Sequence, residues 1–505
     1  MTGRMHHHES PPKPTRRILP IPVGLESTGI RTEFDSMGSI GVPADHYWGA
    51  QTQRSLEHFN ISDERMPPEV YRAYGFVKKA AAIVNMRAGK MPEWMGSLIC
   101  LVCDEIIRGE LDSEFPLFVW QTGSGTHSNM NVNEVVSNRC IQLLGGVPGS
   151  QQPVHPNDHV NMSQSSNDTF PTAMHLASYR MVTDHTVPAL RRLRDSLDAK
   201  SKLWAGVLRI GRTHLADATP LTVGQQWSGY VAALDDSIAD VIQATDGLLH
   251  MAMGGTAVGT GLNAPAGFGT DVAAVLSELT GFAIKTAENK FAAQATNDRM
   301  VRAHAALKGT AVTLYKIAND LRWLGSGPRT GLMELILPSN EPGSSIMPGK
   351  VNPTQAEAMM MVCIEIMASD VAVQMAGAEG NFELNAFRPI VIRDFLHSAR
   401  IMAGMCDRFR QHMIEGTVLN LAKIHENLNR SVMTVTALSP VIGYAKAAEI
   451  AHHAISHDLT LKESALALGV DEALYDQVLG APAQVIGAPA QVLGAPALAR
   501  QFLPG

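Results

Sequence analysis

Two stretches of this chain repeat apolar residues at helical spacing on more than one face, and that limits the folds open to it. Trp227, Val231, Leu234, Ile238 and Val241 follow a four-three rhythm, as do Leu307, Ala311, Leu314, Ala318 and Leu321. The flanking Tyr230, Ala233, Val312, Tyr315 and Ile317 are apolar as well. Helices of this kind must be covered on several sides, by a large bundle or by other subunits. The 25 methionines, among them Met359, Met360 and Met361, suit adaptable helix packing better than a cofactor box.

At 505 residues the chain predicts two or three domains, and 45% hydrophobic content is ample for a large core. A net charge of −7 argues against a nucleic-acid partner and means that an anion site must overcome the global field locally. Five cysteines in so long a chain give no disulfide framework and fit a reducing compartment. Cys100 and Cys103 read as core residues of a helix rather than a metal or redox pair. No unbroken apolar run reaches spanning length, which predicts a soluble protein without a membrane partner.

Four polar segments interrupt the helical pattern. Gly343 to Pro353 packs two hydroxyls, an ammonium and an amide between glycines and prolines. It predicts an ordered loop ending in a helix start, with Asn352 as N-cap, Pro353 at the first helical position and Gln355 completing a capping box. Small hydroxyls, a point positive charge and free backbone N–H groups suit a small anion. Gln121 to Asn131 offers neutral donors between Gly123 and Gly125. His155 to Asn161 runs into Ser163 to Asp168 and then Pro171, read as a helix start; His155 and Asp158 lack the third ligand that a metal would need. Gly211 to Pro220 again predicts a helix start at Thr219 and Pro220. Several helix N-termini converging on one point would make a dianion site with few formal charges.

Together these segments resemble the signatures of the fumarase/aspartase superfamily. The continuation Asn352-Pro353-Thr354-Gln355 is similar to its class II fumarate hydratase branch, and the stretch from Asn381 to Pro389 resembles the next signature. The resemblance implies a mainly α, three-domain fold whose central bundle of long helices forms a twenty-helix core in a homotetramer, with each active site shared between three subunits. On this chain it implies an N-terminal domain (31–164), a central bundle (165–421) and a small C-terminal helical domain (422–478); proline-rich composition predicts a disordered leader (1–30), and the repeat where the chain departs from the family predicts a low-complexity tail (479–505). The implied reaction is reversible anti addition of water to fumarate, giving (S)-malate, a step of the tricarboxylic acid cycle that needs no metal or cofactor.

By the same resemblance Ser344 is the base and His214 the acid, oriented by Glu357. Ser124, Thr126, Ser165, Ser166, Asn167, Thr213, Lys350 and Asn352 hold the two carboxylates. His155, Asn157 and Asp158 match a second dicarboxylate site, with Gln152 standing where the family often has a basic residue. Alternative activities on the same fold are aspartate ammonia-lyase and hydration of a methyl-substituted C4 dicarboxylate; a structural role is disfavoured by the retained Ser344, His214, Lys350 and Glu357. The expected location is the cytoplasm, or the mitochondrial matrix if the leader is a transit peptide. The Gly-Ala-Pro-Ala repeat after Leu479 excludes a coiled coil by its prolines.

Overall fold

A hairpin of β1 (Ile30–Asp35) and β2 (Gly38–Pro43) opens the computed structural model, which describes residues 17–479. The helices α1 (Ala50–His58), α2 (Pro68–Arg87), α3 (Glu93–Arg108), α4 (Thr126–Leu143), α5 (Ser166–Met181) and α6 (Val187–Leu203) follow. A second hairpin, β3 (Leu208–Thr213) and β4 (Ala216–Thr222), precedes α7 (Val223–Asp246), α8 (Phe268–Thr280), α9 (Lys290–Ala295), α10 (Asp298–Leu324), α11 (Thr354–Ala378) and α12 (Arg388–Phe409). Short helices α13 (Leu421–Arg430), α14 (Ser439–Ile442), α15 (Tyr444–His457), α16 (Leu461–Ala467) and α17 (Glu472–Leu479) close the described chain. The mainly helical architecture agrees with the expected fold class. The Gly-Ala-Pro-Ala repeat lies outside the described residues.

The chain divides into two compact units. One takes the chain up to Val182 with Ala244–Ala305 and Ser369–His397; the other takes Thr183–Gln243, Ala306–Ala368 and the chain from Ser398 onward.

In the first unit α2 buries Val70, Tyr71, Tyr74, Val77 and Ala81, and the Tyr71 ring stacks on Phe115 at 4.4 Å. The helix α4 is buried along nearly all its length although it is rich in polar residues. Each buried polar group therefore needs a partner. Asn138 donates to the Tyr47 carbonyl, Arg139 pairs with Glu105 at 2.7 Å, and Glu134 accepts the N–H groups of Gly49, Gln51 and Thr52 at the start of α1. Arg139 also donates to the carbonyls of Ile21 and Pro22, and the Leu19 N–H to the Leu143 carbonyl. These bonds tie residues 19–22 to α4.

In the second unit all ten residues of the two apolar stripes are buried. Trp227 meets Trp204 edge to face at 4.7 Å, the Tyr230 hydroxyl donates to Asp320 at 3.0 Å, and Arg194 pairs with Asp235. The flanking faces are less covered, since Val312 is 54% exposed. A separate small cluster, with Leu438, Ile450, Leu461 and Ala465 at its centre, joins α15, α16 and α17.

The helix α11 is the long apolar element of the described chain. By length and composition it could cross a membrane, the one such helix among the described residues. Glu365 and Asp370 interrupt it, so no unbroken apolar run reaches spanning length, as expected.

Candidate active site

Two helix N-termini meet in the first unit. Gly125 caps α4 in the left-handed region at φ +79°, and a Cβ there would lie 2.2 Å from the Phe170 ring. Gly123 is tighter still, since a Cβ would fall 1.4 Å from the Ala386 carbonyl oxygen. Only glycine lets the loop pass so close to its neighbours. Ser165 caps α5 in a capping box with Asp168. The result is a row of hydroxyls, Ser124 to Thr126 at 2.8 Å and Thr126 to Ser166 at 2.7 Å.

Thr126, Ser165 and Ser166 line one cleft of about 610 Å³ together with Asn129, Asn161 and Gln164. Asn157 and Asp158 line the same cleft, while His155 caps the single turn Pro156–Val160 by accepting the N–H groups of Asn157 and Asp158. Asn167 does not line it, but its amide donates at 2.8 Å to the carbonyl of Ala257, which does.

Two of the three prolines do not mark helix starts as the sequence suggested, and the third is displaced by one residue. Pro171 sits inside α5. It has no N–H for the Asn167 carbonyl four residues back, and that oxygen accepts from the Arg388 guanidinium at 3.1 Å instead. Pro220 lies in β4 opposite Ile210, beside a register shift in the hairpin, where a missing donor is tolerated. Pro353 precedes α11, and its carbonyl accepts the Glu357 N–H at 3.1 Å. Asn352 therefore stands one residue too early for the cap, and its side-chain amide donates to the Gly343 carbonyl.

The second unit carries the other candidates. His214 and Leu215 form the tip of the β3–β4 hairpin, both at positive φ (56° and 61°), with Thr213 paired to Ala216. Two such residues without glycine or asparagine store strain of about 1 kcal/mol or more each, and they hold His214 out in solvent. The base of the hairpin is fixed by Glu334, which accepts from Arg209 at 2.9 Å, Arg212 at 2.7 Å and Asn427 at 3.0 Å. Burial alone would raise the Glu334 carboxyl, but the Arg212 hydrogen bond and the charges of Arg209 and Arg212 outweigh it and hold it below its ordinary range.

Ser344 lies in a loop closed on itself by the Gly343 N–H to Lys350 carbonyl bond at 2.9 Å. Its Oγ accepts the N–H groups of Ile346 at 3.3 Å and Met347 at 3.0 Å. Lys350 and Glu357 are both exposed, and among the described residues no hydrogen bond joins His214 to Glu357.

The chain matches a family model described as lyase over residues 38–368 and one described as fumarase C C-terminus over residues 435–482. A class II fumarate hydratase of Methanosarcina acetivorans is 60% identical over 449 residues, which cover 89% of this chain and 93% of that one. The chain belongs to the class II fumarase family. The mitochondrial fumarate hydratase of Rhizopus oryzae is similar to this fumarase-family chain at 55% identity, over 87% of this chain and 89% of that one. The crystal structure of recombinant class II fumarase from Schistosoma mansoni shares the fold with a TM-score of 0.88 at 40% identity, covering 90% of this chain and 98% of that one.

Sequence reasoning missed three buried groups behind the fumarase-family cleft: Lys78, Asp168 and Arg388, each no more than 1% exposed. Lys78 was the most readable of them. It falls in step with Tyr71, Tyr74 and Asn85 on the buried seam of α2, where a lysine is out of place unless paired.

Proposed function

We propose that this chain catalyses the reversible anti addition of water to fumarate, giving (S)-malate, with Ser344 as base and His214 as acid. The observation that carries the scheme is the Ser344 oxygen, which accepts two loop N–H groups in a segment that also bears Lys350. A serine is a useful base only as an alkoxide, and oriented N–H groups with a nearby ammonium are what stabilise that form.

In the dehydration direction Ser344 removes the carbon-bound proton of malate. The electron pair left behind spreads onto the adjacent carboxylate. Fixed donors then stabilise charge where it develops, and they need no reorganisation at that moment. His214 gives a proton to the departing hydroxyl, with Glu357 orienting the imidazole. Lys350 and Asn352 hold the carboxylates together with Ser124, Thr126, Ser165, Ser166, Asn167 and Thr213. Asn167 and Asn352 each have a second amide N–H to give beyond the bond already made to a carbonyl. No metal or cofactor enters the scheme.

The active unit in this proposal is a homotetramer in which each site draws on three copies, and Glu357 reaches His214 only across copies. The exposed apolar stripe of α11 supports such an assembly, as argued below. His155, Asn157 and Asp158 serve as a second dicarboxylate site at the same cleft. The enzyme acts in the tricarboxylic acid cycle of the cytoplasm, and its parts are an N-terminal domain (31–164), a bundle (165–421) and a small C-terminal domain (422–478).

The test is the rise of fumarate absorbance from malate, repeated with aspartate, with a methyl-substituted malate and with Ser344→Ala. Malate should react and aspartate should not, and Ser344→Ala should lose about 10³-fold or more. A response to aspartate alone would make the chain an ammonia-lyase, and a faster response to the methylated acid would change the substrate.

A further inference from the structure

Lys78 sits on α2 at 1% exposure, and its ammonium gives its three N–H bonds to neutral amide oxygens. They are Asn129 Oδ1 at 2.7 Å, Gln164 Oε1 at 3.0 Å and Asn161 Oδ1 at 3.1 Å. All three amides line the cleft with Thr126, Ser165 and Ser166. The nearest buried carboxylate, Asp168, spends its oxygens on the N–H groups of Ser165, Gly254 and Thr256. Arg388 lies behind the same residues, fully buried, and donates to the carbonyls of Asn167 and Gln294. Two buried cations therefore face one buried carboxylate.

Such an arrangement is costly when the cleft is empty, because a buried charge needs an opposite charge as well as hydrogen bonds. The cost is reflected in Lys78 itself, whose ammonium burial pushes down to about 7 despite the attraction of Asp168. A dianion in the cleft removes the imbalance. In a chain of net charge −7 this is also a local way to attract one.

We propose that Lys78 is a positioning residue for the dicarboxylate: from behind the cleft wall it fixes Asn129, Asn161 and Gln164 by their oxygens and supplies the uncancelled positive charge that a doubly charged ligand balances. The proposal rests on the fumarate reading of the same cleft. Lys78 itself does not touch the substrate.

Succinate, doubly charged and with no bond to react, is the probe, measured by calorimetry on the full chain. Lys78→Gln should weaken succinate binding at least tenfold and raise KM for malate by a similar factor, with kcat within threefold. Lys78→Arg, which keeps the charge, should stay within threefold of the native chain in all three. Equal succinate affinity in Lys78→Gln and the native chain would overturn the proposal.

Should Lys78→Gln fail to fold, the native chain decides alone. If the ammonium and the dianion favour each other, succinate binding must draw a proton onto Lys78 somewhere between pH 7.5 and 10. Calorimetry in buffers of different ionisation heat reads that uptake, and its absence throughout the range overturns the proposal. The groups facing Lys78 are Asp168 on α5, Cys103 on α3 and Tyr74 on its own helix, while α4 presents the Asn129 amide. Burial pushes the Cys103 thiol and the Tyr74 phenol well up, so neither supplies that proton. Lys290 and the Glu134 carboxyl, which burial moves to about 8 and about 7, are further titrating groups, and uptake that persists unchanged in Lys78→Arg would belong to a group other than Lys78 and overturn the proposal. A chain silent with malate but linked to succinate in this way would remove the fumarate reading and leave the role of Lys78 standing.

Discussion

The hydroxyl of Thr126, first residue of α4, lies 2.7 Å from the hydroxyl of Ser166, first residue of α5. Both helices thus present unpaired N–H groups and a positive dipole end at one place, with hydroxyls between them. Thr126→Val keeps the shape and removes the link. A hydrogen bond to a charged ligand contributes about 1.5–3 kcal/mol, so KM for malate should rise by about tenfold to a hundredfold. Steady-state kinetics would show it, and an unchanged KM would exclude the row from the binding site.

Glu334 is the counterpart in the second unit, where one buried carboxylate answers Arg209 and Arg212 under the His214 hairpin. Glu334→Gln leaves the buried Arg209 and the partly buried Arg212 without their charge partner and should cost about 3–5 kcal/mol. Because the folded carboxyl is held below its ordinary value of 4.5, its contribution is fully present above that value and fades as pH falls through the lower folded value. Melting curves of the native chain and Glu334→Gln should therefore differ most at neutral pH and converge in acid. A gap that stayed constant down to pH 2 would show that packing, not charge, is what the carboxylate contributes.

How far the sequence could be read differs between helices and punctuation. Trp227, Leu234, Leu307 and Ala318 are fully buried because a four-three rhythm fixes a face whatever packs on it. The prolines were less legible, because each is tolerated for a reason supplied from elsewhere in the chain. Pro171 can interrupt α5 because Arg388, more than two hundred residues later, takes the carbonyl it frees. Pro220 can sit in a strand because the register shift at Ile210 leaves its missing N–H unneeded. The hydroxyl row was legible as residue types in the right order, whereas the contact of Thr126 with Ser166 depends on how α4 and α5 pack. Lys78 was legible as a lysine out of place on an apolar seam of α2, but its three amide partners come from α4 and the loop before α5 and depend on how those elements pack.

Gly123 offers the sharpest steric test. A Cβ there would stand 1.4 Å from the Ala386 carbonyl oxygen, a backbone atom that no side-chain rotation can move, and the Gly123 carbonyl accepts the Arg388 N–H at 3.1 Å. Gly123→Ala must therefore push the loop before α4 and the segment before α12 apart. Overpacking of this kind costs about 1–3 kcal/mol or more, and the hydroxyl row should lose its alignment with it. The expected result is a lowered melting temperature together with a fall in kcat/KM; a normal melt and normal kinetics would mean that the two segments are not held this closely.

The last expectation concerns α11. Met361, Ile364, Val371 and Met375 are each more than half exposed, and with the exposed Ala368 between them they repeat every three and four residues along one face. That is the spacing of a seam between helices. A lipid-facing helix would be apolar all round, yet the same face begins at the exposed Glu357, and Asp370 is buried. A seam of this length left open to water would also exceed what a stable monomer usually exposes. The surface therefore has the character of a helix–helix interface, which the proposed tetramer would supply. Ile364→Glu should break the assembly by placing a charge in each copy of the seam, and activity should fall with it if the sites are shared between copies. Light scattering on a size-exclusion column reads the mass directly. A tetramer that persists in Ile364→Glu would place the subunit contacts on another surface, and a monomer that keeps full activity would end the case for sites shared between subunits.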